Sequence, residues 1–131
     1  TVPTDVSRRM RILAAEDNKT NQLVLRKMLK TLDVELTFAA NGEEAVTLFK
    51  QLEPDIVFMD ISMPRMDGKE ATGAIRALEE TSGKHVPVVA MTAHAREEDK
   101  LRSLSAGMNL HIAKPVTAQL LLTSILQVIS S

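Results

Sequence analysis

Several polar residues stand where short apolar runs end. Glu16 and Asp17 follow Ile12–Ala15, Asp60 follows Ile56–Met59, Thr92 follows Val86–Met91, and Lys114 follows Leu110–Ala113. If those ends share one edge of a sheet, three carboxylates, a hydroxyl and a lysine converge. Clustered carboxylates repel, so one stays protonated unless a cation enters among them. Oxygen donors without His or Cys select a hard ion, Mg²⁺ first and Mn²⁺ as the alternative. A carboxylate beside such an ion can act as a nucleophile and become an aspartyl phosphate. Transferring phosphoryl oxygens need positive charge and donors around them, which Lys114 and Thr92 would add to the metal's charge. Asp60, with Pro64, Asp67 and Gly68 close behind it, is the candidate nucleophile.

The elements that must position these residues are written in two alternating periodicities. Apolar runs at Ile12–Ala15, Val34–Ala39, Ile56–Met59, Val86–Met91 and Leu110–Ala113 read as buried parallel strands. Between them lie helical stripes: Leu25, Met28, Leu29, Leu32; Ala45, Leu48, Phe49, Leu52; Ala71, Ala74, Ile75, Leu78; and, more weakly, Leu101, Leu104, Met108. A fifth stripe runs through Leu121, Leu122, Ile125, Val128 and Ile129. Asn41 can cap the second helix with Glu44 as its partner, and Pro54 ends it. Gly107 suits the end of the fourth helix and Thr117 the start of the fifth. Five strands alternating with five helices predict an α/β, doubly wound (βα)₅ domain with a parallel sheet. In such sheets ligands bind outside the carboxyl ends of the strands.

Composition narrows the function. The chain has 131 residues, the length of one domain, and 44% apolar residues, enough for one core. Sixteen Lys and Arg against 17 Asp and Glu leave no global field to attract nucleic acid or an anionic membrane. Only Phe38, Phe49 and Phe58 are aromatic, which argues against a base-stacking platform. Without cysteine there are neither disulfides nor thiolate metal sites. His85, His94 and His111 lack zinc spacing. No apolar stretch would span a bilayer. The lack of cysteine suits the cytoplasm, the expected location, either free or as the cytoplasmic part of a membrane-bound protein. The chain starts at Thr1, not Met, so processing or excision from a longer protein is expected. Residues 1–9 read as a linker or tail and 10–131 as the folded domain. Arg8, Arg9 and Arg11 are read as solvated linker charge rather than a phosphate site.

The segments Ile12-Leu-Ala-Ala-Glu-Asp-Asn18, Met59-Asp-Ile-Ser-Met-Pro-Arg-Met-Asp-Gly68, Ala90-Met-Thr-Ala93 and Ala113-Lys-Pro115 together resemble the receiver domains of two-component response regulators. The resemblance covers residues 10 to 129. With Asn21, His94 and Gly107-Met-Asn109 added, it is closest to receivers attached to hybrid sensor histidine kinases. It implies sheet order 2-1-3-4-5. It implies that Asp60 accepts a phosphoryl group from phosphohistidine. Asp17, Asp60, the backbone carbonyl of Ser62 and Glu16, acting mainly through water, would hold Mg²⁺. Lys114 would pair with the phosphoryl group, and Thr92 would be the switch hydroxyl. His111 stands where the family carries an aromatic switch residue. Ser62 and His94 occupy positions that tune phosphoryl loss, and Pro115 one that receivers generally hold in a cis bond. The implied partner is a histidine kinase or histidine phosphotransfer domain. A homodimer would form through the fourth helix, fifth strand and fifth helix, in the last of which Leu120, Leu121, Leu122, Ile125, Leu126, Val128 and Ile129 spread apolar surface beyond one stripe.

The chain would then be a signalling module that assists its own phosphorylation and dephosphorylation, not an enzyme with a diffusible product. A hybrid-kinase fragment is the first expectation for context, a stand-alone regulator the second. A haloacid-dehalogenase-like hydrolase would want an Asp where Ser62 stands. A flavodoxin-like cofactor binder would want a phosphate loop where Glu16 and Asp17 stand.

Overall fold

The computed structural model describes residues 10–30, 34–60, 68–83, 85–92, 107–113 and 117–129. Five parallel strands, β1 (Met10–Ala15), β2 (Val34–Ala39), β3 (Ile56–Asp60), β4 (Val88–Thr92) and β5 (Leu110–Ala113), form one sheet of order β2-β1-β3-β4-β5. Helices α1 (Lys19–Leu29), α2 (Gly42–Leu52) and α3 (Gly68–Ser82) and a C-terminal helix (Ala118–Ile129) cover its faces. Strand order and fold class are as expected. The stripe through Leu101, Leu104 and Met108 falls mostly outside the described residues; Met108 itself is buried.

The period of two along each strand sends alternate residues to opposite faces. Ile12, Ala14, Ile56, Phe58, Val89, Met91 and Ile112 meet Leu25 and Leu29 of α1 and Leu121, Ile125 and Val128 of the C-terminal helix. Leu13, Ala15, Val57, Met59, Val88 and Ala90 meet Ala45 of α2 and Ala71 and Ile75 of α3. Both faces of β3 are buried, which explains its unbroken apolar run. Leu122, assigned from the sequence to the core stripe, is instead 42% exposed. It lies on the flank of a helix whose buried face runs through Leu121, Ile125 and Val128.

The caps follow from local chemistry. Asn18 accepts from the Asn21 N–H at 3.1 Å, Asn41 from the Glu44 N–H at 2.8 Å, and the Thr117 hydroxyl from the Leu120 N–H at 3.1 Å. Glu44 reaches back one residue further than a simple capping box and accepts from the Ala40 N–H at 3.0 Å. Helix α2 stops before Pro54, with Glu53 in the left-handed region at φ 48°. A side chain is strained there and glycine is not. Glu53→Gly is therefore expected to raise stability by about 0.5–1 kcal/mol, measurable as a higher urea midpoint at constant slope.

Two arginines staple helices to the amino-terminal edge of the sheet. Arg11 belongs to β1, not to a solvated linker: its Nη1 donates to the Leu52 carbonyl at 2.9 Å, and its backbone N–H donates to Asp55 Oδ2 at 2.8 Å. Helix α2 is thereby tied to the start of β1. Arg76 of α3 donates to the carbonyls of Gly107 (2.9 Å) and Val86 (2.8 Å), to Asn109 Oδ1 (2.7 Å) and to the buried Glu79. Glu79 also accepts from the Val86 N–H, and Asn109 Oδ1 from the Val88 N–H at 3.0 Å. Val86 therefore serves this network rather than the sheet, while the Pro87 carbonyl already accepts from the Val57 N–H of β3 at 2.9 Å, just before β4 starts at Val88. Gly107 sits at φ +103°, and a Cβ there would come within 3.0 Å of Arg76 Cγ. Both the turn and the arginine's approach need a glycine.

Candidate functional site

The strand register brings the carboxyl ends together. Ala15 pairs with Met59, so Glu16, one residue on, is level with Asp60; Asp60 itself pairs with Met91. By alternation Glu16 and Asp60 project on the α1 side of the sheet, the face of Ala14 and Phe58. Glu16, Asp17 and Asp60 each offer a carboxylate oxygen within 4.8 Å of the others. Glu16 is 1% and Asp60 3% exposed, while Asp17 faces solvent. The cluster is thus buried on one side and open on the other.

The turn between β1 and α1 holds this arrangement. The Glu16 N–H donates to the Ala39 carbonyl at 2.9 Å, fastening it to the end of β2. Glu16 Oε2 accepts from the Asn18 N–H at 3.2 Å. The Gln22 side-chain amide donates to the Glu16 carbonyl at 2.6 Å. Asn18 then caps α1, so Asp17 lies between a residue bonded to the sheet and a residue that starts a helix.

The donor set fits a small hard cation. Ligands bound directly to one octahedral Mg²⁺ lie about 2.9–4.2 Å apart, given metal–oxygen distances near 2.1 Å. A 4.8 Å spread suits direct ligation by some of these carboxylates and contact through water by another.

Thr92 ends β4, 6% exposed, on the face opposite Asp60 by alternation. His111 pairs with Ala90 and Thr92 pairs with Ala113. Thr92 and half-buried His111 therefore lie on the same face as diagonal neighbours of adjacent strands. Ser62, His94 and Lys114, like Pro115, lie outside the described residues. Gln22 is not singled out by the sequence, which carries no pattern around it; its half-buried place on the first turn of α1 and its bond to the Glu16 carbonyl are what mark it.

This sheet order, with acids gathered at the carboxyl edge of β1 and β3, defines a doubly wound α/β domain with a candidate cation site at the carboxyl edge of its sheet. The chain belongs to the response regulator receiver domain family, whose model matches residues 12–126. It is 37% identical over 116 residues to hybrid signal transduction histidine kinase I of Dictyostelium discoideum, an alignment covering 85% of this chain and 7% of the kinase. The chain spans between 6% and 15% of the length of the curated histidine kinases it matches. Among solved structures it resembles the receiver domain of a Pseudomonas aeruginosa sensor histidine kinase, with a magnesium ion coordinated in its active site cleft. That match has 38% identity and a TM-score of 0.85, covering 95% of this chain and all of that one. It also resembles a chain from the Saccharomyces cerevisiae co-crystal of a histidine phosphotransfer signalling protein and the receiver domain of its downstream response regulator. There the identity is 33% and the TM-score 0.85, covering 89% of this chain and 86% of that one. The chain is thus a receiver domain of two-component signalling, homologous to the receivers of hybrid histidine kinases.

Proposed function

We propose that this receiver accepts a phosphoryl group on Asp60 from a phosphohistidine donor, with Mg²⁺ held at the acid cluster. The observation that carries the reading is the convergence of three carboxylates within 4.8 Å, with Asp60 almost fully buried among them. One Asp60 oxygen attacks phosphorus, the phosphorus–nitrogen bond breaks, and the imidazole departs as the leaving group. A cation bound by Asp17 and Asp60, by Glu16 through water, and by the Ser62 carbonyl would neutralise charge on carboxylates and phosphoryl oxygens. Mn²⁺ is the alternative ion. Lys114 supplies the second positive charge and Thr92 a hydroxyl donor to the phosphoryl oxygens. Burial keeps Asp60 in a low-dielectric setting where those charges act strongly.

Phosphorylation adds charge at one edge and biases a two-state rearrangement. Thr92 is the moving hydroxyl, and His111, its same-face neighbour, substitutes for an aromatic switch residue. Ser62 and His94 set the rate of phosphoryl loss. The donor is a histidine kinase or histidine phosphotransfer domain, in keeping with the partner present in the yeast co-crystal. Residues 10–131 form the receiver unit, 1–9 a linker, and a hybrid kinase is the parent, as in the relatives. The domain acts in the cytoplasm without making a diffusible product. Among the described residues no helix is long and apolar enough to cross a membrane. Exposed Leu120, Leu122 and Leu126 of the C-terminal helix support self-association through that face; light scattering over a dilution series that finds only monomer, phosphorylated or not, removes this part.

The test is incubation with a small phosphodonor, followed by intact mass. One acid-stable, base-labile phosphoryl group is expected with Mg²⁺, and its yield should fall at least about tenfold with a chelator. Equal labelling without a divalent ion overturns the metal's role.

A further inference from the structure

We propose that Gln22 is a positioning residue: by holding the peptide between Glu16 and Asp17, it sets the readiness of the acid cluster to take a divalent cation. The inference deepens the cation reading above and rests on it. The Gln22 Nε2 donates to the Glu16 carbonyl at 2.6 Å. A carbonyl oxygen only accepts, so the NH₂ end of the amide must face it, and the orientation of the side chain is fixed by chemistry. That carbonyl belongs to the peptide plane joining Glu16 to Asp17. Holding the plane, with the Glu16 N–H fastened to Ala39 and the Asn18 carbonyl to the helix, restricts the dihedrals on either side of it and so the directions in which both acidic side chains leave the backbone.

The rest of the turn is fastened at its two ends. The Glu16 N–H is bonded to Ala39 on β2 (2.9 Å), and the Asn18 carbonyl accepts from the Gln22 N–H (3.0 Å). Gln22 thus grips the turn twice, once through its backbone in the helix and once through its side chain at the acid-bearing peptide. Three carboxylates gathered within 4.8 Å push one another apart before a cation arrives. Asp17 is exposed, so nothing on its solvent side opposes that push. Without the Gln22 amide the turn relaxes outward, and an arriving cation must reassemble it at the expense of affinity.

Gln22→Met keeps the length and half-buried packing of the side chain and removes its donor. Asn21→Ala is the control, because only the backbone N–H of Asn21 serves the cap. With no Trp or Tyr in the chain, the Mg²⁺ dissociation constant is read by NMR titration. Hydrogen exchange at the Asn18 amide of metal-free protein is read alongside it. Gln22→Met should weaken Mg²⁺ binding about tenfold, in line with residues that orient metal ligands. It should also speed exchange at Asn18, while Asn21→Ala matches the parent. If the parent binds Mg²⁺ and Gln22→Met binds it equally well, the proposal is overturned, whatever the variant's stability. If the parent takes up no Mg²⁺, the cation reading fails and this inference falls with it, a distinct signature. Should Gln22→Met not fold, Gln22→Asn, too short to reach the carbonyl, gives the same readout.

Discussion

Asp60→Asn is expected to abolish phosphoryl acceptance and, at the same time, to stabilise the metal-free chain. The amide is close in size to the carboxylate, so the buried end of β3, 3% exposed at this residue, keeps its shape. A neutral amide is no nucleophile toward phosphorus, and incorporation by intact mass should drop by more than about a thousandfold, to background. The stability gain has a separate cause. With Glu16 and Asp17 within 4.8 Å, the third negative charge is repelled in the absence of a cation. Removing it should add about 1 kcal/mol, a rise of a few degrees in Tm for a domain of this size. Adding Mg²⁺ should stabilise the parent more than the variant, because the variant has lost a ligand. A variant labelled as fully as the parent means that the phosphoryl group sits elsewhere. A variant less stable than the parent means that the acids are not a repelling cluster.

Glu79→Ala and Arg76→Ala should each destabilise the fold by about 3 kcal/mol, a large share of the roughly 5–15 kcal/mol that such domains possess. The Glu79 side chain is 5% exposed and that of Arg76 18%. Truncating either one leaves the other's charge without its ion-pair partner where water is largely excluded. Arg76→Ala also leaves the carbonyls of Val86 and Gly107 and the side chain of Asn109 short of a donor. Glu79→Ala leaves the Val86 N–H short of its acceptor. Replacing both, as Arg76→Met with Glu79→Leu, should cost clearly less than the sum of the single losses, since neither charge is then stranded. Urea unfolding at constant slope measures all three. Single losses below about 1 kcal/mol would show that the pair is hydrated rather than buried. Because this network holds the entry to both β4 and β5, its loss should fall on the strands that carry Thr92 and His111 before it touches β1 and β2.

Most of the sheet was legible in the sequence. Val34–Ala39 and Leu110–Ala113 came out as read, and β3 ran one residue past the apolar stretch, to Asp60 itself. Asn18, Asn41 and Thr117 cap helices as their types demand. These features are local: periodicity selects helix or strand, and a short polar side chain bonds the amides beside it. The acidic partners of Asp60 could be anticipated because the carboxyl ends of parallel strands must share one edge.

The long-range polar clamps were not legible. Arg11, read as linker charge, lies in β1 and reaches the end of α2, 41 positions along the chain. Arg76 reaches Gly107 and Asn109 across more than 30 positions, and in sequence it looks like any solvent-facing helix arginine. Gln22 is a neutral residue with no pattern around it. Leu122 carries the stripe's residue type but sits on the outer flank of its helix. In each case the side chain's chemistry is common, and its partner is a backbone carbonyl or a neighbouring surface whose place depends on how separate elements pack. By itself the sequence determined the strands, the helices and which acids meet at the sheet edge, because period and polarity act over a few residues. Only the tertiary structure decided which ordinary polar residues hold that edge in shape, because a carbonyl acceptor leaves no mark in the sequence.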